Sequence, residues 1–137
     1  MSMKSIEEIR AFFAKDNFAC GLTGAYIEEV APGYAKVSLK IEEKHLNGSG
    51  HVMGGVYYTL ADLAAAVAVN QNFDEELCVG LNGQISHIAS VTEGTLYAEA
   101  TVLKNGRKVL FVDVRVTNEE GKLLTQSSMT SYKVVSK

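Results

Sequence analysis

Most of this chain alternates between apolar and polar positions with a period of two. From Tyr34 to Ile41, Ala35, Val37, Leu39 and Ile41 share one face while Lys36, Ser38 and Lys40 share the other, the mark of a half-buried strand. Pro32-Gly33 sets a turn ahead of it, proline fixing the first corner and glycine free to take positive φ at the second. Leu96, Ala98, Ala100 and Val102 alternate with Tyr97, Glu99 and Thr101; Leu110, Val112, Val114 and Val116 alternate with Phe111, Asp113, Arg115 and Thr117. Asn105-Gly106 between these runs is the strongest short hairpin signal in the chain. Glu120-Gly121 turns the chain again into a last strand over Leu123 to Val135, and a further strand is expected around Cys78–Ile88. Successive hairpins predict an antiparallel sheet.

Two stretches follow the helical period instead. Ser5 followed by Glu8 forms a capping box for a short helix whose inner stripe is Ile6, Ile9, Phe12 and Phe13. A longer helix is expected from about Gly54 to Asn70. Val56, Leu60, Leu63, Ala64, Val67 and Ala68 give it a wide apolar face, and Ala61, Ala65, Ala66 and Val69 leave almost no polar one. Such a helix is expected to be buried, and its alanines allow a sheet to approach closely. The predicted architecture is α+β: one domain over residues 1–137, an antiparallel sheet wrapped around one long central helix.

Composition narrows the function. The chain has 137 residues, 47% apolar and 21% charged, with a formal net charge of −3, so it suits one soluble domain and gives no basic surface for nucleic acid. Charges interrupt every apolar run near the N-terminus, and the longest apolar stretch, Leu63–Val69, is far too short to span a bilayer. Cys20 and Cys78 stand far apart in no metal-like pattern, which suits a reduced, cytoplasmic protein.

Against that background Asp62 stands out as the only charged residue from Met53 to Phe73. A carboxylate on an apolar helix is either placed on a narrow exposed strip, satisfied by a hydroxyl such as that of Thr59, or kept for chemistry. Ahead of the helix, Asn47-Gly48-Ser49-Gly50-His51-Val52-Met53-Gly54-Gly55 carries four glycines in eight residues, a loop that admits close approach of a ligand. The first N–H groups of the helix, at Gly54 and Gly55, lack intrahelical partners and are placed to hold an oxyanion. Gly54 and Asp62 are eight residues apart on one helix, about 12 Å along its axis. Reacting groups must meet within about 3 Å, so one chain cannot bring both to one carbonyl carbon. A two-fold dimer with antiparallel neighbouring helices can.

These residues carry a resemblance. Asn47, the glycine-rich stretch, Gly54-Gly55 and then Leu60-Ala61-Asp62 resemble the signature of the PaaI-like hot-dog thioesterases, an asparagine, a glycine-rich stretch, His-Gly-Gly and Leu-x-Asp on the central helix. The order of helix, strands, central helix and four further strands is similar over nearly the whole chain. The resemblance implies a hot-dog fold and metal-free, cofactor-free hydrolysis of an acyl- or aryl-CoA. Asp62 would be general base or nucleophile. The Gly54 N–H would polarise the thioester carbonyl, assisted by the Asn47 side chain from a neighbouring subunit. It also implies a homodimer, commonly paired into a homotetramer.

Two positions depart from the pattern. The residue before the two glycines is Met53 where the family has histidine, and a thioether cannot replace a strong donor. Some members carry serine or threonine near Gly80, where this chain has no hydroxyl. Both losses leave a non-catalytic acyl-CoA binding or sensing protein as the alternative. A hydratase on this fold would need a histidine one turn beyond Asp62, where Val67 stands.

Gly55, Met53 and Tyr58 are expected to line the substrate pocket, with Tyr57 and Tyr58 divided between pocket and dimer interface. Lys104, Arg107 and Lys108 surround the hairpin turn, as solvated cations or as partners for CoA phosphates. His45, His51 and His87 lack metal-ligand spacing, and His87 is expected to be structural or pocket-lining. No Gly-x-Ser-x-Gly elbow is present.

Overall fold

The computed structural model describes residues 3–135. Helix α1 (Ile6–Phe13) starts at the expected box: the Ser5 hydroxyl accepts the Glu8 N–H at 3.1 Å, and the Glu8 carboxylate accepts the Ser5 N–H at 2.9 Å. Its Ile9 and Phe13 are buried, and Phe12 stacks on Phe73 with centroids 4.1 Å apart. A π-helical turn at Asn17–Leu22 and a 3₁₀ turn at Glu43–His45 follow no apolar periodicity, and the sequence pattern did not signal them.

Strands β1 (Tyr26–Ala31) and β2 (Tyr34–Lys40) flank the Pro32-Gly33 turn, where Gly33 takes φ +67°. Helix α2 (Gly54–Val69) then leads to β3 (Glu76–His87), β4 (Thr95–Asn105), β5 (Val109–Thr117) and β6 (Leu123–Val135). The six strands form one antiparallel sheet in the order β1-β2-β4-β5-β6-β3. Its inner face, including Val37, Leu39, Leu96, Ala98, Val112, Val114 and Val116, closes on Leu60, Leu63, Ala64 and Val67 of α2. Fully burying each large side chain stabilises the fold by about 1.5–3 kcal/mol. Ala61 and Ala64 have no exposure at all, as close approach of sheet to helix requires.

The C-terminus of α2 is pinned by two amides. Asn70 donates to the Cys78 carbonyl at 3.1 Å and accepts the Cys78 N–H at 2.7 Å, and Gln71 donates to the Ala31 and Tyr34 carbonyls, 2.8 Å each. Strand β3 therefore starts beside the end of α2 and runs back along it. At its far end the His87 ring lies 3.3 Å from where a Gly54 Cβ would stand.

Three expectations need correction. The central helix is not closed on every side: Gly55 and Asp62 are exposed, and Tyr58, Thr59, Ala66 and Val69 are half-buried. These positions recur at three- and four-residue intervals and form one open strip. Asn105-Gly106 does connect two strands, but the turn spans residues 106–108 and Gly106 is not at positive φ. Glycine is needed there because a Cβ would come within 2.6 Å of the Val109 carbonyl oxygen. Finally, Ile41 lies past the end of β2, and Val102 is only half-buried, just before the bulge at Val102/Lys104.

Candidate active site

The expected site residues fall into two clefts on one chain. Asp62 lines a cavity of about 190 Å³ between α2 and the β3–β6 edge, together with Tyr58, Ala66, Gly80, Met129 and Ser131. Its carboxyl pKa is held above the ordinary aspartate value, first by desolvation and second by the charge of Asp16. The side chain still reaches solvent in the single chain. The desolvation comes from helix and strand atoms packed around its base, and a second chain laid on the open strip would deepen it. Tyr58 crosses to β3, where a Cβ on Gly83 would strike the Tyr58 hydroxyl and come within 2.6 Å of Met129 Sδ. Gly80, on the same strand, has nothing within 4 Å of a Cβ.

Asn47 and Gly54 line the second cleft, about 440 Å³, with Ser49, His51, Tyr57 and His87. The Asn47 side-chain oxygen accepts the Ser49 N–H at 3.0 Å, the Ser49 hydroxyl at 2.8 Å and the His51 N–H at 3.1 Å, which folds the glycine-rich loop on itself. These donors identify the oxygen, so the Nδ2 amide is the end left to donate. Met53 is the N-cap of α2 and supplies no side-chain cap; only the third N–H, of Val56, is engaged, by the Met53 carbonyl at 2.9 Å. The N–H groups of Gly54 and Gly55 thus remain open at the positive end of the helix. Met53 is 50% exposed and its methyl group would contact a Cβ at Gly55 at 2.8 Å.

The other candidates are distributed as follows. Tyr57 is 1% exposed, a core residue whose hydroxyl accepts the Val91 N–H at 3.3 Å, so it is not an interface side chain. Its ring meets His87 edge-on at 5.9 Å, and His87 lines the second cleft. His45 is buried and structural: one ring nitrogen accepts the Glu42 N–H at 2.9 Å, so the other donates to the Thr23 carbonyl at 2.8 Å. Among the described residues no group of three His, Cys, Asp or Glu side chains could hold a metal ion. Lys104, Arg107 and Lys108 are exposed at the β4–β5 turn, with Lys108 Nζ 6.0 Å from the Tyr132 ring centroid. Ser131, inside the Asp62 cavity, was not singled out from the sequence. It sits in the last strand's inward register, opposite Gly80, and the pairing of β6 with β3 sets it in the wall of the cavity that Asp62 also lines.

The fold and the two clefts define an α+β hot-dog protein with a carboxylate on its central helix. Residues 49–125, more than half of the chain, match the Thioesterase superfamily, and the chain belongs to that family. It is 32% identical over 108 residues to the 1,4-dihydroxy-2-naphthoyl-CoA hydrolase of Listeria monocytogenes, covering 78% of this chain and 88% of the relative. It is 29% identical over 134 residues to human acyl-coenzyme A thioesterase 13, covering 96% of each. Among solved structures, a Haemophilus influenzae thioesterase superposes with TM-score 0.89 at 21% identity, covering 98% of this chain and 93% of the other. The Escherichia coli PaaI protein of the phenylacetic acid degradation operon superposes with TM-score 0.82 at 24% identity, covering 91% of each. No helix among the described residues is long and apolar enough to cross a membrane.

Proposed function

We propose that this protein hydrolyses an acyl- or aryl-CoA thioester to the free acid and CoA at a site built from two copies of the chain. The observation that carries the proposal is the division of the machinery. The carboxylate lies in one cleft, and the donors for an oxyanion lie in another, about 12 Å away along one helix. Beside Asp62, strand β3 pairs among the described residues with β6 alone, and it is exposed from Val79 to Gln84. A long unpaired edge is a template for another strand. Edge-to-edge pairing of two copies, with the open strips of α2 antiparallel, would bring Gly54 and Asn47 of one chain to Asp62 of the other. Gly55 and Ala66 on that strip are small enough for two helices to approach closely.

In this reading Asp62 takes a proton from water, and the water oxygen adds to the thioester carbonyl carbon. The Gly54 N–H and the Asn47 amide stabilise the developing oxyanion. Collapse breaks the C–S bond, and the proton returns from Asp62 to the departing thiolate. Gly55, Met53 and Tyr58 surround the thioester. The β4–β5 turn supports a role for its cations, because β5 starts against the end of β6, which pairs with the start of β3 beside the C-terminus of α2. In an antiparallel pair, that end of one helix adjoins the Gly54 end of the other, so Lys104, Arg107 and Lys108 stand where CoA phosphates of the shared site would lie. The outer sheet face beside this turn is apolar, with Val79, Phe111 and Val134 exposed, which supports a second contact between dimers in a tetramer.

The names of the relatives support a CoA thioester as the substrate class. The test is thiol release from short, medium, long and aromatic acyl-CoA esters, with Asp62→Asn in parallel. Turnover that falls about 10²–10⁴-fold in the variant, the usual worth of a general base, is the expected result. Tight CoA-ester binding without thiol release by the wild type would make the protein an acyl-CoA binder instead.

A further inference from the structure

The Asp62 cavity contains one hydroxyl that the proposed chemistry has not yet used. Along β6, Thr125, Ser127, Met129 and Ser131 alternate onto the buried inner face. The hydroxyls of Thr125 and Ser127 are sealed in the core with no partner among the described residues. Ser131 differs. It is 5% exposed, lines the Asp62 cavity, and its side chain has no hydrogen-bond partner among the described residues. Unlike those two, its hydroxyl is open to the cavity, where water can pair with it. With some 30 Å³ per liquid water, a cavity of about 190 Å³ holds several.

The opposite strand leaves the path clear. Ser131 is the Cα partner of Gly80 on β3, and Gly80 contributes neither a side chain nor any neighbour within 4 Å of its Cβ direction. The other hydroxyls at the cavity are occupied differently. Tyr58 lies against Gly83 and Met129, and Thr130 alternates to the outer face, paired with Phe111 and Asn82.

We propose that the Ser131 hydroxyl holds and orients the water that Asp62 deprotonates. This rests on the thioesterase reading. Ser131 Oγ accepts one water O–H while Asp62 accepts the other. As the latter proton moves to Asp62, the water oxygen bonds to the carbonyl carbon; collapse then breaks the C–S bond, and Asp62 returns the proton to the thiolate. The Ser131 proton stays in place throughout, so its role is orientation.

Ser131→Ala is expected to lower kcat about ten- to a hundredfold, the scale of one or two lost orienting contacts, with KM for the CoA ester and Tm nearly unchanged. Adding Gly80→Ser to that variant is expected to restore most of the lost kcat, because the new side chain enters open space facing the same cavity. A purely structural serine would shift Tm and would not be rescued from the neighbouring strand. Unchanged kcat in Ser131→Ala, with Asp62→Asn inactive, would overturn this inference and leave the thioesterase reading standing. Absence of thiol release by the wild type would overturn both.

Discussion

At the scale of single residues, Asp62 and Asn47 each join an effect on stability to the catalytic role proposed for them. Burial raises the Asp62 pKa, so the folded chain binds its proton more tightly than the unfolded chain does. For a carboxyl with a raised folded pKa, stability is fully present below the ordinary value of about 3.9 and is lost as pH rises through the folded one. Asp62→Asn removes that loss. Its Tm should exceed that of the wild type at pH 7, and the gap should close below about pH 4, as read by thermal unfolding across pH. Activity moves the other way: kcat/KM should fall as pH drops, with an inflection above the ordinary aspartate value, because only the ionised carboxylate accepts a proton. Asn47 likewise folds its loop with the oxygen and is free to donate with the amide. Asn47→Asp keeps the acceptor and removes the donor. It should retain the wild-type Tm and lose about 10²–10³-fold in kcat, the worth of one oxyanion donor, whereas Asn47→Ala should lose Tm as well.

At the scale of elements, period-two alternation revealed β2, β4 and β5 because one face of each packs on α2 while the other meets water; β6 buries Thr125, Ser127 and Ser131 on its inner face and was placed by the Glu120-Gly121 turn before it. The same rule explains why β3 was the least distinct. From Val79 to Gln84 it is exposed on both faces, so no alternation is imposed on it by the single chain. The helix was legible from its apolar content, but its open strip was not, since alanine, valine and glycine suit both a core and a surface awaiting a partner. Asp62 and Gly54 stand out as candidates because a charge in an apolar helix and glycines at a helix start are local signals, whereas Asn47 is singled out only by the family resemblance. Ser131 does not stand out, because its relation to Asp62 exists only through strand pairing. The Asn70 clamp closes over eight residues, from the end of α2 to Cys78, and fixes where β3 starts. Asn70→Ala would leave the Cys78 N–H and carbonyl without their buried partners, costing roughly 1–3 kcal/mol for each group left unsatisfied. The expected result is a lower denaturation midpoint together with reduced kcat, because the strand that walls the Asp62 cavity loses its anchor to the helix.

At the scale of the whole molecule, the proposed division between carboxylate and oxyanion donors makes assembly a condition of the proposed chemistry. A single chain holds each half once, so the proposed two-fold dimer would hold two complete sites, each drawing Asp62 from one copy and Asn47 with Gly54 from the other. That arrangement has a consequence no within-chain site shares. Asp62→Asn and Asn47→Asp homodimers should each be inactive, since every site has one defective half. In a heterodimer of the two, one site collects both defects and the other collects none. Unfolding and refolding an equal mixture gives about half heterodimers, each with one intact site of two, so the mixture should recover about a quarter of wild-type kcat per chain. The recovered activity should scale with the product of the two variants' proportions and peak at equal mixing. A refolded mixture no more active than its two components, with mixed dimers confirmed by mass spectrometry, would place both groups on one chain and require the helix geometry to be read differently.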